Sequence, residues 1–534
     1  MGRRTAAIYF TVIVLFTGVL CRIYALSMGE SLASVAHTQS SYLLDVDNTR
    51  GIIYDCNLRP LVGTERRSVA AIQPSPEAFT ALTQAAQETG ESFEINGKNT
   101  KPYLIEPEET AVYAKGVEMF DAVKRYGSWQ LAPHIIGYLN PSKTDGAAGI
   151  EMAYNAYLKQ HSGSLRLRYR LDALGRAMPS QSPEILMDNY QDKGGVALTL
   201  DADIQRAAER AMQDIEKGAA VVMDVNTGDI KASVSVPAYD PNDLAASLKN
   251  PASPFVNRAF SQYSVGSTFK LVTAAAALEN GFGRYTPYVC NGYIDVDGHR
   301  FNCHWRTGHG QLDLEGAIEV SCNPFFIHLG LQTGGKRIAS LARDMGFGKA
   351  AVFSEDIRTQ SGTMPRDDEL EIPAAVANFS FGQGRLTATP IQIAQMISTI
   401  ANGGYAVTPR LVEGFTEDGE IINQHTTIYA PNQVINERTS RVLREALLSN
   451  VLKGSGKEAK PMKGDAGGKT ASAQTGIYQS DGETEIVHAW FAGYYPADTP
   501  LYAIVVLVEG GDSGSDVAAP VFKEIADGIY LSKL

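Results

Sequence analysis

The sequence predicts an α/β fold whose core is a mainly antiparallel sheet assembled from strands far apart along the chain. Three observations predict it. An alternating hairpin lies at residues 219–236, a second strand pair lies at 489–508, and amphipathic helices stand outside both at 201–217 and 520–531. Each such element has one apolar face to bury, and a sheet covered by helices buries them all.

The first helix is read from Ile204, Ala207, Ala208, Ala211, Met212 and Ile215, which share one face, with Asp201 or Asp203 as its cap. The hairpin follows. Ala219 to Val225 is strand-like, Asn226-Thr227-Gly228-Asp229 is a turn, and Ile230, Ala232, Val234 and Val236 alternate as a half-buried strand does. Near the C-terminus, Ala489 to Tyr495 and Leu501 to Val508 are strands joined across Pro496 to Pro500. The last helix starts near Pro520 and puts Val521, Phe522, Ile525, Ala526 and Ile529 on one side. Between the strand pairs the chain is mostly helical, including Ile391 to Ala401, which follows Thr389-Pro390 and stops at Asn402-Gly403. There are no repeats.

The 534 residues leave room for roughly two to four domains. A net charge of −12 excludes a nucleic-acid partner, which needs a basic face, and is read as a solubility feature. The five cysteines, at 21, 56, 290, 303 and 322, are too few for a disulfide scaffold. Cys290 and Cys303 are near enough along the chain to pair, though spacing alone does not set disulfide geometry. Zinc ligation by Cys303, His304 and His309 matches no common zinc pattern, so neither metal nor cofactor is expected.

After Arg3 and Arg4 an apolar run extends from Ala6 to Cys21 and on through Ile23 to Leu26, close to the length of a membrane span. Arg22 can snorkel to the far interface. The leading arginines put the tail in the cytoplasm and the rest outside. A signal peptide cut near Ala25-Leu26-Ser27 is the competing reading. Lipidation at Cys21 is excluded by the bulk of Leu20. The expected division is a tail at 1–5, an anchor at 6–26, a polar N-terminal module at 27–190 and the α/β domain at 191–534.

Three stretches carry chemistry. Gly266-Ser267-Thr268-Phe269-Lys270 opens a helix that runs to Leu278. Ser267 at the helix start meets unpaired N–H groups, and Lys270 lies one turn on. A buried lysine with a lowered pKa can take the serine's proton without any histidine. Ser321-Cys322-Asn323 offers a hydroxyl to relay a proton and an amide to hold a peptide group. Gly467-Gly468-Lys469-Thr470-Ala471-Ser472 reads as a strand whose glycines let a substrate backbone approach. Lys469, Thr470 and Ser472 there offer a cation and two hydroxyls to a carboxylate. Singly each motif is weak, and the second also reads as a plain helix cap before Pro324.

Together, in this order, the three match the set found in penicillin-binding proteins and serine β-lactamases. The chain resembles a class B penicillin-binding protein over nearly its whole length. Arg50-Gly51-Ile52-Ile53-Tyr54-Asp55, Gly149-Ile150-Glu151, Leu198-Thr199-Leu200-Asp201, Gly382-Gln383-Gly384 and His488-Ala489-Trp490-Phe491-Ala492-Gly493 all fit that family. The resemblance implies a transpeptidase domain behind a pedestal or dimerisation-type module and one anchor in the plasma membrane. It implies a peptidoglycan D,D-transpeptidase that cross-links D-Ala-D-Ala stem peptides and is acylated by β-lactams, with a membrane glycosyltransferase as partner. Ser267 is then the nucleophile, Lys270 its base and Ser321 the third catalytic residue. Asn323, Lys469, Thr470 and Ser472 bind substrate, and the N–H groups of Ser267 and Ser472 form the oxyanion hole. Departures are Ala471 for glycine, which adds a methyl beside the substrate path, Val265 for proline, and Cys56 and Leu58 for arginine and glycine.

A serine β-lactamase shares the motifs but needs a deacylating glutamate. Glu369 and Glu371 lack an asparagine four positions on, as the Glu-x-x-x-Asn pattern requires. A β-lactam sensor would need several spans. A bifunctional glycosyltransferase would need more chain before residue 190. Roles in elongation (cell shape), cell division and sporulation all stay open.

Overall fold

A computed structural model describes residues 2–27, 40–90, 92–93, 99–108, 112–178, 181–478 and 482–533. The chain forms two compact units. One comprises Met1–Arg50, Gly63–Arg125 and His161–Asp192, the other Gly51–Val62, Tyr126–Gln160 and Lys193–Leu534.

In the first unit, α1 (Gly2–Ser27) is long and apolar enough to cross a membrane. Two three-stranded sheets follow. One is centred on Gly163–Arg170, which pairs antiparallel with Ser41–Thr49 and Glu184–Asp188. Leu165, Leu167 and Tyr169 alternate inward from that strand and join Leu44, Val46, Val69 and Ala122 in a small core. The second sheet sets Glu65–Ile72 between Tyr103–Ile105 and Val117–Lys124.

The second unit holds α2 (Ala202–Ala211), β1 (Gly218–Asp224), β2 (Ile230–Val236), α3 (Lys270–Glu279), α4 (Asn323–Thr333) and α5 (Pro390–Ala401). After them come β3 (Gly467–Tyr478), β4 (Glu485–Tyr495), β5 (Tyr502–Val508) and α6 (Ala519–Leu531). The strands form one antiparallel sheet in the order β2-β1-β5-β4-β3, joining segments from opposite ends of the unit as the sequence predicts. Alternation sends Val222, Ile504, Val506 and Phe491 to one face, against Ile204 and Ala208 of α2 and Phe522, Ile525 and Ile529 of α6. Val221, Val505, Leu507 and Trp490 go to the other, with Leu271 and Val272 of α3 and Ile391 and Ile397 of α5. Both faces of the central strands β1 and β5 are dry, which is why those two read as near-continuous apolar runs.

The predicted helix at 201–217 ends at Ala211, because the chain must turn before Gly218 to enter β1. Asp201 caps it, accepting from the N–H groups of Asp203 and Ile204. The hairpin turn is held by Asp224, whose Oδ1 accepts from Asn226 N at 2.8 Å and Thr227 N at 3.0 Å.

Two of the family-like stretches meet in this unit. Ile52–Tyr54 pairs in parallel with Gly195–Leu198. Asp55, fully buried, accepts from Arg59 N and Nε, each at 2.8 Å, and from Ala202 N at 3.2 Å. Arg59 then reaches Asp201 at 3.1 Å and also pairs with Asp203, so one arginine ties the two stretches together. Leu58, where the family commonly has glycine, lies in the left-handed region at φ 56°, a conformation costing an L-residue about 1–2 kcal/mol.

Candidate active site

Gly266–Phe269 forms a single tight turn that runs directly into α3, so Ser267 sits at the start of the helix as predicted. The turn is clamped from two sides. Gly266 N–H donates to Gly382 O at 3.1 Å, and a Cβ on Gly382 would fall 1.8 Å from Gly266 O. A Cβ on Gly266 itself would lie 3.0 Å from Ala473 Cβ and 3.4 Å from Ala471 Cβ. Trp490 Nε1 donates to Ser264 O at 3.0 Å just ahead of the turn. The Gly382-Gln383-Gly384 and His488-Ala489-Trp490 stretches thus support the backbone carrying Ser267.

Lys270 is fully buried. Its Nζ donates to Ser321 O at 2.8 Å, Ser321 Oγ at 3.1 Å and Asn323 Oδ1 at 2.7 Å, and stands 5.6 Å over the Phe326 ring. The first two motifs are therefore in direct contact. No carboxylate pairs with this lysine among the described residues. Burial pulls its pKa down to about 7, opposed by Cys322 and Cys303. Ser321 connects the short helix Leu314–Glu319 to α4 in the left-handed region, at φ 53°. Such strain in a non-glycine residue persists only where the surroundings impose it, and here the neighbouring Cys322 is wholly buried.

β3 lies at the sheet edge and pairs Lys469 with Ala492, Ala471 with Trp490 and Ser472 with Ala489. Lys469 is fully buried too, and its Nζ donates to Thr470 O at 3.1 Å. Burial holds its pKa well below the ordinary lysine value, and the charge on Lys270 adds to the effect. Strand alternation separates the predicted carboxylate-binding set. Lys469 and Ala471 share one face, while Thr470 and Ser472 take the other. There Thr470 Oγ1 lies 3.0 Å from Ser455 Oγ, and Ser472 Oγ accepts from Gly514 N at 3.3 Å.

Two sequence expectations change. Ala471 was expected to add a methyl beside the substrate path. It is 3% exposed, and its methyl lies under the Gly266 turn. Gly467 and Gly468 were expected to admit a substrate backbone, but a Cβ on either would fall 2.4 Å from the rings of Tyr494 and Phe491. These glycines let β4 aromatics lie flat on β3.

Residues the motifs did not announce also shape the site. Asn450 Nδ2 donates to Gly468 O at 2.7 Å and anchors the start of β3. Glu509 Oε1 accepts from Arg258 Nε at 2.9 Å and Tyr263 OH at 2.6 Å, bracing the strand that leads to Ser267. Glu369 and Glu371 are tied to Arg385 at 3.1 Å and Lys336 at 2.7 Å, so their carboxylates are already paired on exposed cations.

The cysteines hold a further surprise. All five are free thiols, Cys290 and Cys303 included. The side-chain ligand atoms of Cys290, Cys303, Cys322 and His309 lie within 4.8 Å of one another, directly behind Ser321 and Asn323. The Cys322 thiol, hydrogen-bonded to Cys303, holds the latter well below the usual thiol range while Cys322 itself is pushed up.

Comparison with known proteins agrees with this geometry. Residues 218–527 match the penicillin binding protein transpeptidase domain. Stage V sporulation protein D of Bacillus subtilis is 30% identical, covering 93% of this chain and 80% of its own length. The peptidoglycan D,D-transpeptidase PbpA of Mycobacterium tuberculosis is 32% identical over 62% of this chain and 72% of its own. A chain from a peptidoglycan synthase complex, solved for the coordination of polymerization and crosslinking, superposes with a TM-score of 0.70 at 26% identity. It covers 99% of this chain and 98% of that one.

Proposed function

This chain belongs to the class B penicillin-binding proteins, the peptidoglycan D,D-transpeptidases of cell-wall synthesis, and we propose that Ser267 is its acylated nucleophile and Lys270 the general base. The observation that carries the reading is the buried Lys270 ammonium, which has no carboxylate partner among the described residues and three acceptors from the second motif.

Those acceptors suggest how the proton moves. An ammonium has three N–H groups for Ser321 O, Ser321 Oγ and Asn323 Oδ1; a neutral amine has two and a lone pair. A carbonyl and an amide oxygen can only accept, so the Ser321 hydroxyl is the member that can turn and follow the proton. Lys270, neutral, takes the Ser267 proton as Oγ bonds to the carbonyl carbon of the penultimate D-alanine. The N–H groups of Ser267 and Ser472 receive the oxyanion. When the C–N bond breaks, the proton passes from Lys270 through Ser321 to the departing amine. An acceptor amine then attacks the ester, with the protons moving in reverse. Asn323 holds the stem peptide, and its terminal carboxylate sits at the free edge of β3, where Thr470 and Ser472 reach it from one face and Lys469 from the other; its arrival restores the Lys469 proton. A β-lactam follows the same path as far as the ester.

The N-terminal helix, long and apolar enough to cross a membrane, supports reading this as a single-pass membrane protein. We read residues 27–190 as its pedestal and 191–534 as its transpeptidase domain. Arg3 and Arg4 favour a catalytic domain outside the membrane, and a glycosyltransferase is the fitting partner, since the matched chain belongs to a synthase complex. Benzylpenicillin should trap the enzyme stoichiometrically and leave over many minutes. Turnover of nitrocefin several times per second would make hydrolysis the function instead.

A further inference from the structure

We infer that Ser455 is a positioning residue of the carboxylate site, which turns the Thr470 hydroxyl from a donor within the protein into a donor to the ligand. This role rests on the transpeptidase reading, and Ser455 lies outside all three motifs. Thr470 is 7% exposed, and its Oγ1 lies 3.0 Å from Ser455 Oγ. Ser455 Oγ donates in turn to Asn450 Oδ1 at 3.2 Å. Asn450 is fully buried, and its orientation is set from the other side. Its Nδ2 donates at 2.7 Å to Gly468 O, which can only accept, so Oδ1 is the atom that meets Ser455.

Ser455 has a single proton for two neighbouring oxygens. While that proton goes to Asn450 Oδ1, the contact with Thr470 is a hydrogen bond only if Thr470 is the donor. Thr470 then has lone pairs alone to offer a ligand, and a carboxylate needs donors. Arrival of a carboxylate reverses the chain: Ser455 swings its proton to Thr470 Oγ1, and Thr470 donates to the anion. Hydroxyl protons rotate to suit their partners, so no heavy atom has to move. The bond given up at Asn450 Oδ1 is offset by a charge-assisted one at the ligand, polarised further by the hydroxyl behind it. A neutral ester returns only a neutral bond, so the reversal favours an anion. Ser472 needs no such reversal, because its Oγ accepts from Gly514 N at 3.3 Å and keeps its own proton to give.

The backbone holds Ser455 where it can do this. It follows the helix Glu437–Lys453 in the stretch Gly454-Ser455-Gly456. Its N–H donates at 3.1 Å to Glu319 O, just ahead of Ser321, and its C=O accepts from Ser515 Oγ at 3.0 Å, next to Gly514. One short loop thus ties the approach to the second motif to the third motif and to the turn behind Ser472. Close approach requires both flanking glycines. A Cβ on Gly454 would fall 2.4 Å from Asn450 Oδ1, and one on Gly456 would fall 2.9 Å from Asn450 Nδ2.

The test compares acylation of the full-length protein by benzylpenicillin and by its methyl ester, followed by intact mass. Both ligands bring the same ring to Ser267, so the ratio of their second-order constants reads the carboxylate site. Ser455→Ala should lower the constant for the acid about tenfold and change that for the ester less than about twofold. Stopped-flow measurements with the acid should place the loss in the apparent dissociation constant, with the limiting rate within about threefold of wild type. Ser455→Thr keeps the hydroxyl and should stay within about threefold of wild type, whereas Ser455→Cys, a weak donor that fills the space, should behave like the alanine variant. On a Thr470→Val background Ser455→Ala should cost the acid less than about twofold more, because the hydroxyl it orients is gone. A loss shared equally by acid and ester, or a threonine variant as slow as the alanine one, would overturn the role of Ser455. So would Ser455→Ala and Ser455→Cys proteins that the acid acylates as fast as wild type. Wild-type protein that neither ligand acylates at Ser267 would overturn the transpeptidase reading itself, so the two failures are told apart by the wild type.

Discussion

Lys270 and Lys469 are the same side chain at the same burial, one on the helix side of the cleft and one on the strand side, and their surroundings use them differently. Both are fully buried, and burial lowers the pKa of both. Lys270 opens a helix and gives all three N–H groups to the Ser321–Asn323 loop. Lys469 lies on the edge strand and donates to the neighbouring carbonyl of Thr470 alone among the described residues. Desolvation makes an amine easy to deprotonate wherever it is buried. What it then does depends on its partners. A hydroxyl that can follow the proton makes Lys270 a proton carrier, and unspent donors make Lys469 a receptor for a carboxylate.

Substitutions should separate the two roles. Lys270→Ala should lower the limiting rate of penicillin acylation by about a thousandfold, within the range for loss of a general base. Lys270→Arg should not rescue it, because a guanidinium keeps its proton. Arginine activity within tenfold of wild type would remove the distinction. Lys469→Ala should chiefly weaken binding, raising the apparent dissociation constant of a carboxylate-bearing β-lactam by about 10- to 100-fold, as expected for one charge-assisted contact. Stopped-flow acylation over a range of ligand concentrations separates the two constants. An equal collapse of the limiting rate would make the lysines equivalent.

The pH dependence sharpens the contrast. Lys270 must be neutral to accept a proton, and its pKa is pulled down to about 7. Below that value it is protonated, so the acylation rate should fall tenfold per pH unit, and above it the rate should level off. A plateau continuing well into the acid range would take the role of base from Lys270. The smallest effect belongs to Ala471→Gly. Its methyl lies under the Gly266 turn, so acylation should change less than about threefold while stability falls by about 1 kcal/mol. Thermal melts alongside acylation rates check both.

The sheet was readable because its signals are local. The alternating apolar residues of the hairpin, the Asp224–Gly228 turn and the apolar face of α6 each lie within a short window. Ser267, Lys270 and Lys469 were readable because their motifs are compact and ordered. The cysteine–histidine cluster was not, since its side chains come from loops whose crossings at Gly292 and Gly308 exist only in three dimensions. The orientation of Ala471 depended on which face of β3 packs under the turn, which is set by the strand's pairing with β4. The Arg59 cluster likewise joins Asp55 to Asp201 and Asp203 across a long stretch of sequence.

The most direct test of the acyl-enzyme is to map the penicillin adduct on the wild-type protein. Intact mass after benzylpenicillin treatment should rise by one penicilloyl group per chain, and fragmentation of the peptide spanning Gly266 to Lys270 should place it on Ser267. An adduct on any other residue, or none under conditions where the ligand is consumed, would contradict the assignment of Ser267.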